Sequence, residues 1–221
     1  MIPLRSTERV YNNAVVTASL IALNVVLFLY QLTMGPDALD QFVANWGIVP
    51  DRLRIITLLT SMFLHGGWMH LLGNMLFLWV FGRNLEDLIG GGRFLAFYLL
   101  CGLVAAVVQV ITSPYSRVPT IGASGAIAGV MGAYLIKFPR ARIVTLVPVF
   151  VFITTFEIPA AFLLLYWFAI QFLSGVGSLA QTNYAGGGIA WFAHVGGFLA
   201  GMLLIRLFPA RKRWQTWYSN D

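Results

Sequence analysis

Residues 94–108 read FLAFYLLCGLVAAVV, fifteen consecutive positions without a charged side chain. Extended to residue 112, this block has the length of about 20 residues that a helix needs to cross the hydrocarbon core of a bilayer. Five further apolar blocks of similar length lie at residues 14–34, 68–88, 121–137, 158–179 and 190–208. The sequence therefore predicts an all-α integral membrane protein, a polytopic bundle of six transmembrane helices.

The composition of the whole chain argues against a water-soluble protein. Of its 221 residues, 59% are hydrophobic and only 10% are charged, and the mean hydropathy is +0.80, whereas a soluble domain is roughly a quarter charged. The net charge of +6 does not indicate nucleic-acid binding, because the basic residues are scattered between the apolar blocks. The single cysteine, Cys101, excludes an intramolecular disulfide and a CxxC metal or redox site.

The basic residues instead indicate topology. If the N-terminus is cytoplasmic, eleven of the fourteen Lys and Arg side chains fall in cytoplasmic segments, as the positive-inside rule requires. Both termini are then cytoplasmic, residues 35–67 form a long exterior first loop, and residues 143–157 approach the fifth span along the interface. We predict a cytoplasmic N-terminal segment at 1–13, a membrane domain at 14–208 and a cytoplasmic C-terminal tail at 209–221.

Polar side chains within such spans are costly and become candidates for function. The second span opens with HGGWMHLLGN, residues 65–74, in which His70 and Asn74 are four residues apart and share one helix face. Interhelical hydrogen bonding and chemistry are both open explanations for this pair. His65 is either a ligand or a loop cap, and a metal site here lacks a third ligand and the HExxH pattern.

The fourth span opens with TIGASGAIAGVMGAY, residues 120–134, in which Ser124 lies in a Gly-X-Ser-Gly turn. A serine at the start of a helix exposes its hydroxyl, and the free N–H groups of the first helical turn can bind an oxyanion. The signal is weak when taken alone, because a small serine also lets two membrane helices approach, as the GxxxG pair Gly125 and Gly129 does.

The sixth span contains WFAHVGGFLAGMLL, residues 191–204, in which Gly197 and Gly201 follow His194 at three and seven residues. A glycine-rich face on both the fourth and the sixth span predicts that these two helices pack directly. Ser124 and His194 both lie near the outer ends of their helices. Direct packing would therefore place them at similar depth, as a nucleophile and its base require.

The carboxylates of the sequence do not extend this pair to a triad. Glu86, Asp87 and Glu157 fall at the cytoplasmic ends of their spans, opposite to His194, and nothing in the sequence brings a carboxylate of the outer loop to that histidine. The sequence thus predicts a Ser–His dyad. Three lone polar residues within the spans are assigned to helix–helix hydrogen bonds: Asn24, Gln109 and Gln171.

The three motifs together resemble the rhomboid family of intramembrane serine proteases. The matching parts are HGGWMHLLGN in span two, GASG at the start of span four and AHVGGFLAG in span six. Six spans with a long exterior first loop also agree with that family. The resemblance extends from about residue 14 to residue 208 and is to the bacterial, minimal six-span type. Each motif alone is weak, but the three in this order are specific.

The resemblance implies a role for each matching position. Ser124 would be the nucleophile and His194 the general base, and His70 and Asn74 would supply side-chain donors to the oxyanion. Motif and support positions complete the set: His65, Gly122, Gly125, Gly197, Gly201 and Glu86.

Two positions depart from the family pattern. Many members carry Trp-Arg in the first loop where this chain has Ile55, Ile56 and Thr57, which affects how the loop is seated in the membrane. Many also carry an aromatic residue four positions after the serine, stacked on the histidine, where this chain has Ala128. Neither departure removes a reacting group.

The resemblance implies a serine endopeptidase of the bacterial inner membrane that cleaves transmembrane segments near the exterior face without a metal or organic cofactor. Its partners would be the lipid bilayer and substrates with helix-weakening residues near the cut, because an intact helix hides its carbonyl groups. The oligomeric state stays open. Two alternatives are a catalytically silent relative that binds membrane proteins for quality control and a small transporter with polar groups along its pathway.

Overall fold

Apolar helices and a small sheet make up the part of the chain that the computed structural model describes, residues 2–149, 152–179 and 190–211. The helices are α1 (Val15–Leu32), α2 (Pro36–Trp46), α3 (Thr57–Thr60), α4 (Trp68–Phe77), α5 (Arg83–Ile89), α6 (Gly91–Thr112), α7 (Ser124–Lys137), α8 (Ala160–Leu179) and α9 (Trp191–Leu204). The strands are β1 (Ile2–Ser6), β2 (Arg142–Val149) and β3 (Phe152–Pro159). Of the predicted tail at 209–221, residues 212–221 lie outside the described residues.

Among the described residues, three helices are long and apolar enough to cross a membrane, namely Val15–Leu32, Gly91–Thr112 and Ala160–Ser178. Two shorter apolar helices, Ser124–Lys137 and Trp191–Leu207, accompany them. The predicted second span is divided between α4, a π-helical segment (Leu78–Gly82) and α5. A helical membrane fold is therefore correct, and the count of six spans stays a prediction.

The all-α prediction is wrong for residues 142–149 and 152–159, which form two strands instead of an interfacial approach to a helix. Strand β2 pairs antiparallel with both β1 and β3. The segments RIVTLVPV and FITTFEIP are rich in β-branched residues, which favour extended backbone. The third strand comes from the predicted N-terminal segment, where Ile2 pairs with Leu146.

Helix α7 lies in the centre of the helical body. Each of its residues from 125 to 135 is buried, which is the pattern of a helix enclosed by other elements on all sides. Helices α6 and α9 make the most extensive packing with it. The first residue of α7 is Ser124, so the serine is carried at one end of an enclosed helix.

The predicted direct packing of the fourth and sixth spans is confirmed, and glycines produce it. A Cβ atom built at Gly197 would overlap the carbonyl oxygen of Gly125, and one built at Gly201 would overlap that of Gly129. The two backbones therefore touch, which side chains at these positions would prevent. Because the contacts advance in the same direction along both helices, α7 and α9 run parallel and begin at the same end of the bundle.

Glu86 lies toward the opposite end, beside the start of α1. Its buried carboxylate accepts hydrogen bonds from the N–H groups of Val16 at 2.9 Å and Thr17 at 2.7 Å, and from the Thr17 hydroxyl at 2.7 Å. The N–H groups of a first helical turn have no partner within the helix. Glu86 therefore caps α1 from a distant part of the chain, which gives its predicted supporting role a physical basis.

Candidate active site

Ser124 and His194 meet where α7 and α9 begin. The Ser124 hydroxyl oxygen lies 2.7 Å from His194 Nε2, within hydrogen-bond distance. Ser124 is partly buried and the His194 ring is only 8% exposed. The pair depends on the close parallel packing of the two helices, because each side chain sits in the first turn of its own helix.

The second ring nitrogen of His194 contacts Gln171 on α8. The distance from Nδ1 to the Gln171 side-chain oxygen Oε1 is 2.7 Å. An amide oxygen can only accept a hydrogen bond, so His194 Nδ1 carries the proton and donates it. The lone pair of Nε2 then faces the Ser124 hydroxyl, which is the orientation a general base needs. Sequence reasoning assigned Gln171 to an ordinary helix–helix hydrogen bond and missed this partner.

Two tryptophans flank the His194 ring. The Trp167 ring lies 5.7 Å from it between centroids at an interplanar angle of 39°, and the Trp191 ring meets it edge-on at 6.5 Å. Ala128, at the position where the family often has an aromatic residue, is fully buried. The aromatic contact to the histidine comes from α8 in this chain, a substitution that the sequence motifs did not reveal.

His70 and Asn74 approach the backbone just before Ser124. A Cβ atom built at Gly122 would lie 2.7 Å from His70 Nε2 and 3.7 Å from Asn74 Nδ2, so both nitrogens face this point. Gly122 also has a φ of +128°, which side-chain-bearing residues rarely adopt. The Gly66 N–H points to His70 Nδ1 at 3.4 Å, which leaves Nε2 to carry the ring proton and face the site.

His65 lies behind Asn74 in the loop before α4 and is 1% exposed. Burial and, to a lesser degree, the neighbouring His70 lower the pKa of His65 to about 4, so its ring is neutral at pH 7. The Asn74 amide Nδ2 is 2.9 Å from His65 Nε2, which accepts a hydrogen bond from it. Gln31 on α1 fixes the loop with hydrogen bonds of 3.1 Å to the backbone N–H and carbonyl of His65.

A cavity of about 840 Å³ joins these groups. Ser124, His194, His70, Asn74 and Gln171 all line it, among mostly apolar walls. Its volume lies in the range of about 300–1,000 Å³ that is usual for binding pockets. In the part of the chain that the structure describes, no group of three His, Cys, Asp or Glu side chains could hold a metal ion.

The comparison with known proteins identifies the family. A model of the rhomboid domain matches residues 52–211, well over half of the chain. The chain belongs to the rhomboid family. The match includes α4, α7 and α9, the three helices that carry the motifs of the rhomboid site.

Named rhomboids from bacteria and mitochondria are similar to this rhomboid chain. Rhomboid protease GluP of Bacillus subtilis (strain 168) is 36% identical over 119 residues, 52% of this chain and 23% of the relative. Rhomboid protein 1, mitochondrial, of Saccharomyces cerevisiae is 31% identical over 196 residues, 84% of this chain and 51% of the relative. Presenilin-associated rhomboid-like protein A, mitochondrial, of Danio rerio is 33% identical over 138 residues, 60% of this chain and 35% of the relative. The chain thus spans between about a quarter and about half of the length of these relatives.

Proposed function

We propose that this rhomboid is an intramembrane serine endopeptidase that cleaves transmembrane segments by a Ser–His dyad. The observation that carries the proposal is the 2.7 Å contact between the Ser124 hydroxyl and His194 Nε2, with Nδ1 held by Gln171. A serine hydroxyl is a weak nucleophile until a base takes its proton as it attacks. A neutral imidazole whose lone pair faces the hydroxyl meets that need.

In the proposed reaction, Ser124 Oγ attacks the carbonyl carbon of the scissile peptide bond while His194 Nε2 takes the hydroxyl proton. The tetrahedral intermediate collapses as the C–N bond breaks, and His194 gives the proton to the leaving amine. Water then enters, loses a proton to His194 and attacks the acyl ester. The ester bond breaks, the proton returns to Ser124 Oγ, and a carboxylic acid product leaves.

We assign three donors to the oxyanion that would form beside Ser124. The backbone N–H of Ser124 is the first in α7 and has no partner within the helix. His70 Nε2 faces the same point, and Asn74 Nδ2 has two hydrogens, one of which bonds to His65. Donors that are fixed before the reaction stabilise developing charge without reorganisation, and losing one costs about 10²–10³ in rate.

The length of α7 supports cleavage within the membrane. Its 14 residues extend about 21 Å at 1.5 Å per residue, less than the hydrocarbon core of about 30 Å. If Lys137 at its end marks one interface, Ser124 lies about 9 Å beneath the other. A substrate helix would have to unwind at this depth, so Gly, Pro or other helix-weakening residues near the cut are part of the proposal.

The proposed topology has six spans formed by α1, α4 with α5, α6, α7, α8 and α9. Both termini are cytoplasmic and the site faces the exterior of a bacterial inner membrane, in agreement with the eleven basic residues on the cytoplasmic side. The mitochondrial names of several relatives make a mitochondrial membrane the competing location. Accessibility of single introduced cysteines to a membrane-impermeant reagent, in a Cys101→Ala background, tests the orientation.

Cleavage of a fluorogenic transmembrane substrate by the purified chain in liposomes tests the function. Ser124→Ala and His194→Ala should each reduce turnover by at least about a thousandfold. Ser178→Ala is the matched control and should leave turnover unchanged, because among the described residues the Ser178 hydroxyl donates to the Gly175 carbonyl of its own helix, α8. Wild-type protein that binds the substrate without cutting it would support the alternative, a silent membrane-protein binding factor.

A further inference from the structure

Helix α8 has one inner face that reaches the site. Trp167 and Gln171 are four residues apart on this face, and Gln171 is only 6% exposed. The other side of the helix is lined by exposed apolar residues, among them Phe162, Leu165, Tyr166, Phe172 and Leu173. A buried glutamine on such a helix needs a partner, because an unpaired amide away from water is costly. Its partner is the imidazole of His194.

We propose that Gln171 is a positioning residue for the base, which holds His194 in the tautomer that leaves Nε2 free to take the Ser124 proton. This inference rests on the proposed function. The two ring nitrogens have separate partners among the described residues, Ser124 Oγ at Nε2 and Gln171 Oε1 at Nδ1, both at 2.7 Å. With the Gln171 oxygen removed, the His194 ring no longer prefers the Nδ1–H tautomer over the Nε2–H tautomer. The Nε2–H tautomer would donate a hydrogen bond to Ser124 instead of accepting its proton.

A neutral amide suits this position better than a carboxylate. An ionised Asp or Glu within the spans would have to be kept charged in a medium of low polarity, which is costly. Gln171 orients the His194 imidazole without that cost. Trp167, on the same helix as Gln171, contacts the imidazole and restricts the tilt of that ring. Helix α8 therefore contributes to the site although it carries none of the three sequence motifs.

Kinetics of two variants at position 171 test the proposal. Gln171→Leu keeps the volume and removes the acceptor. It should lower kcat about tenfold, equivalent to about 1.4 kcal/mol, with KM unchanged. Gln171→Glu keeps an oxygen acceptor at the same place and should retain kcat within about threefold of wild type, while the cost of the buried carboxylate should appear as a lower melting temperature. Ser178→Ala, on the same helix, should match wild type. Folded Gln171→Leu with wild-type kcat, or Gln171→Glu as slow as Gln171→Leu, would overturn the proposal.

The tautomer itself can be observed without any turnover. The chain has only three histidines, so ¹⁵N-histidine NMR in detergent resolves few signals, and His194→Ala assigns the one in question. We expect His194 to carry its proton on Nδ1 in the wild type and to show a mixture of tautomers in Gln171→Leu. An Nε2–H tautomer in the wild type refutes the positioning role even if Gln171→Leu does not fold. An inactive chain with the expected tautomer would refute the protease proposal alone.

Discussion

Replacing Gly197 by Ala tests how the fold sets the distance between the two reacting groups. The new Cβ would overlap the Gly125 carbonyl oxygen, at a separation that real Cβ atoms essentially never show. Helices α7 and α9 must then separate by on the order of 1 Å to restore van der Waals contact. The Ser124–His194 distance of 2.7 Å would lengthen beyond 3.5 Å, where the hydrogen bond is lost.

A displacement of this size can lower the rate of an enzyme by about 10²-fold, and overpacking should reduce the stability by about 1–3 kcal/mol. The assay is turnover of the transmembrane substrate by purified protein at a temperature well below its melting transition. Gly177→Ala is the matched control, because no atom of the described residues lies within 4 Å of a Cβ built there on α8. A folded Gly197→Ala protein with more than half of the wild-type activity would refute the link between glycine packing and dyad geometry.

Further predictions concern the groups around the dyad. Asn74→Ala should reduce kcat by about 10²–10³ with little change in KM, measured by the same turnover assay, because it removes one oxyanion donor. Glu86→Gln should lower the free energy of unfolding by about 1–3 kcal/mol through the weakened cap of α1, yet leave kcat unchanged at low temperature. Unfolded His65 titrates near pH 6.5 and the folded residue at about 4, so its contribution to stability is full above pH 6.5 and is lost as the pH falls towards 4. The melting temperature of His65→Gln should therefore depend less on pH across this window than that of the wild type, and equal slopes would contradict this.

The motifs made the residues that meet at the candidate site predictable from the sequence. Polar residues are rare within apolar spans, so Ser124, His194, His70 and Asn74 stood out. The glycines at 197 and 201 indicated a face that another helix could approach, and the structure places the Gly125 and Gly129 carbonyls against it. These inferences worked because small residues and costly polar groups have few other uses in a membrane helix.

The partners of single side chains were not predictable in the same way. Gln171 and Gln109 are equivalent as isolated glutamines in apolar helices, and only the packing of α8 on α9 distinguishes the one that meets His194. The sequence left His65 open as either a ligand or a loop cap, and its ring is buried behind Asn74 and holds that amide. Which nitrogen meets which oxygen depends on helix rotation, which the spacing of residues does not specify.

The sheet was missed because its pairing is non-local. Strand β1 contains only five residues and pairs with β2 across most of the chain. The apolar run before α8 is equally compatible with a buried strand and the start of a helix, an ambiguity that hydrophobicity alone cannot resolve. Its β-branched residues favoured strands, and the partner that completes the sheet lay in the predicted cytoplasmic N-terminal segment.

The most direct test of the account is to locate the site of covalent labelling by a fluorophosphonate probe, using peptide mass spectrometry on the chain in liposomes. The account predicts one adduct, on Ser124, that is lost in Ser124→Ala, is strongly reduced in His194→Ala and persists in Ser178→Ala. An adduct that forms equally well in Ser124→Ala, or on another residue of the wild type, would contradict the assignment of Ser124 as the nucleophile.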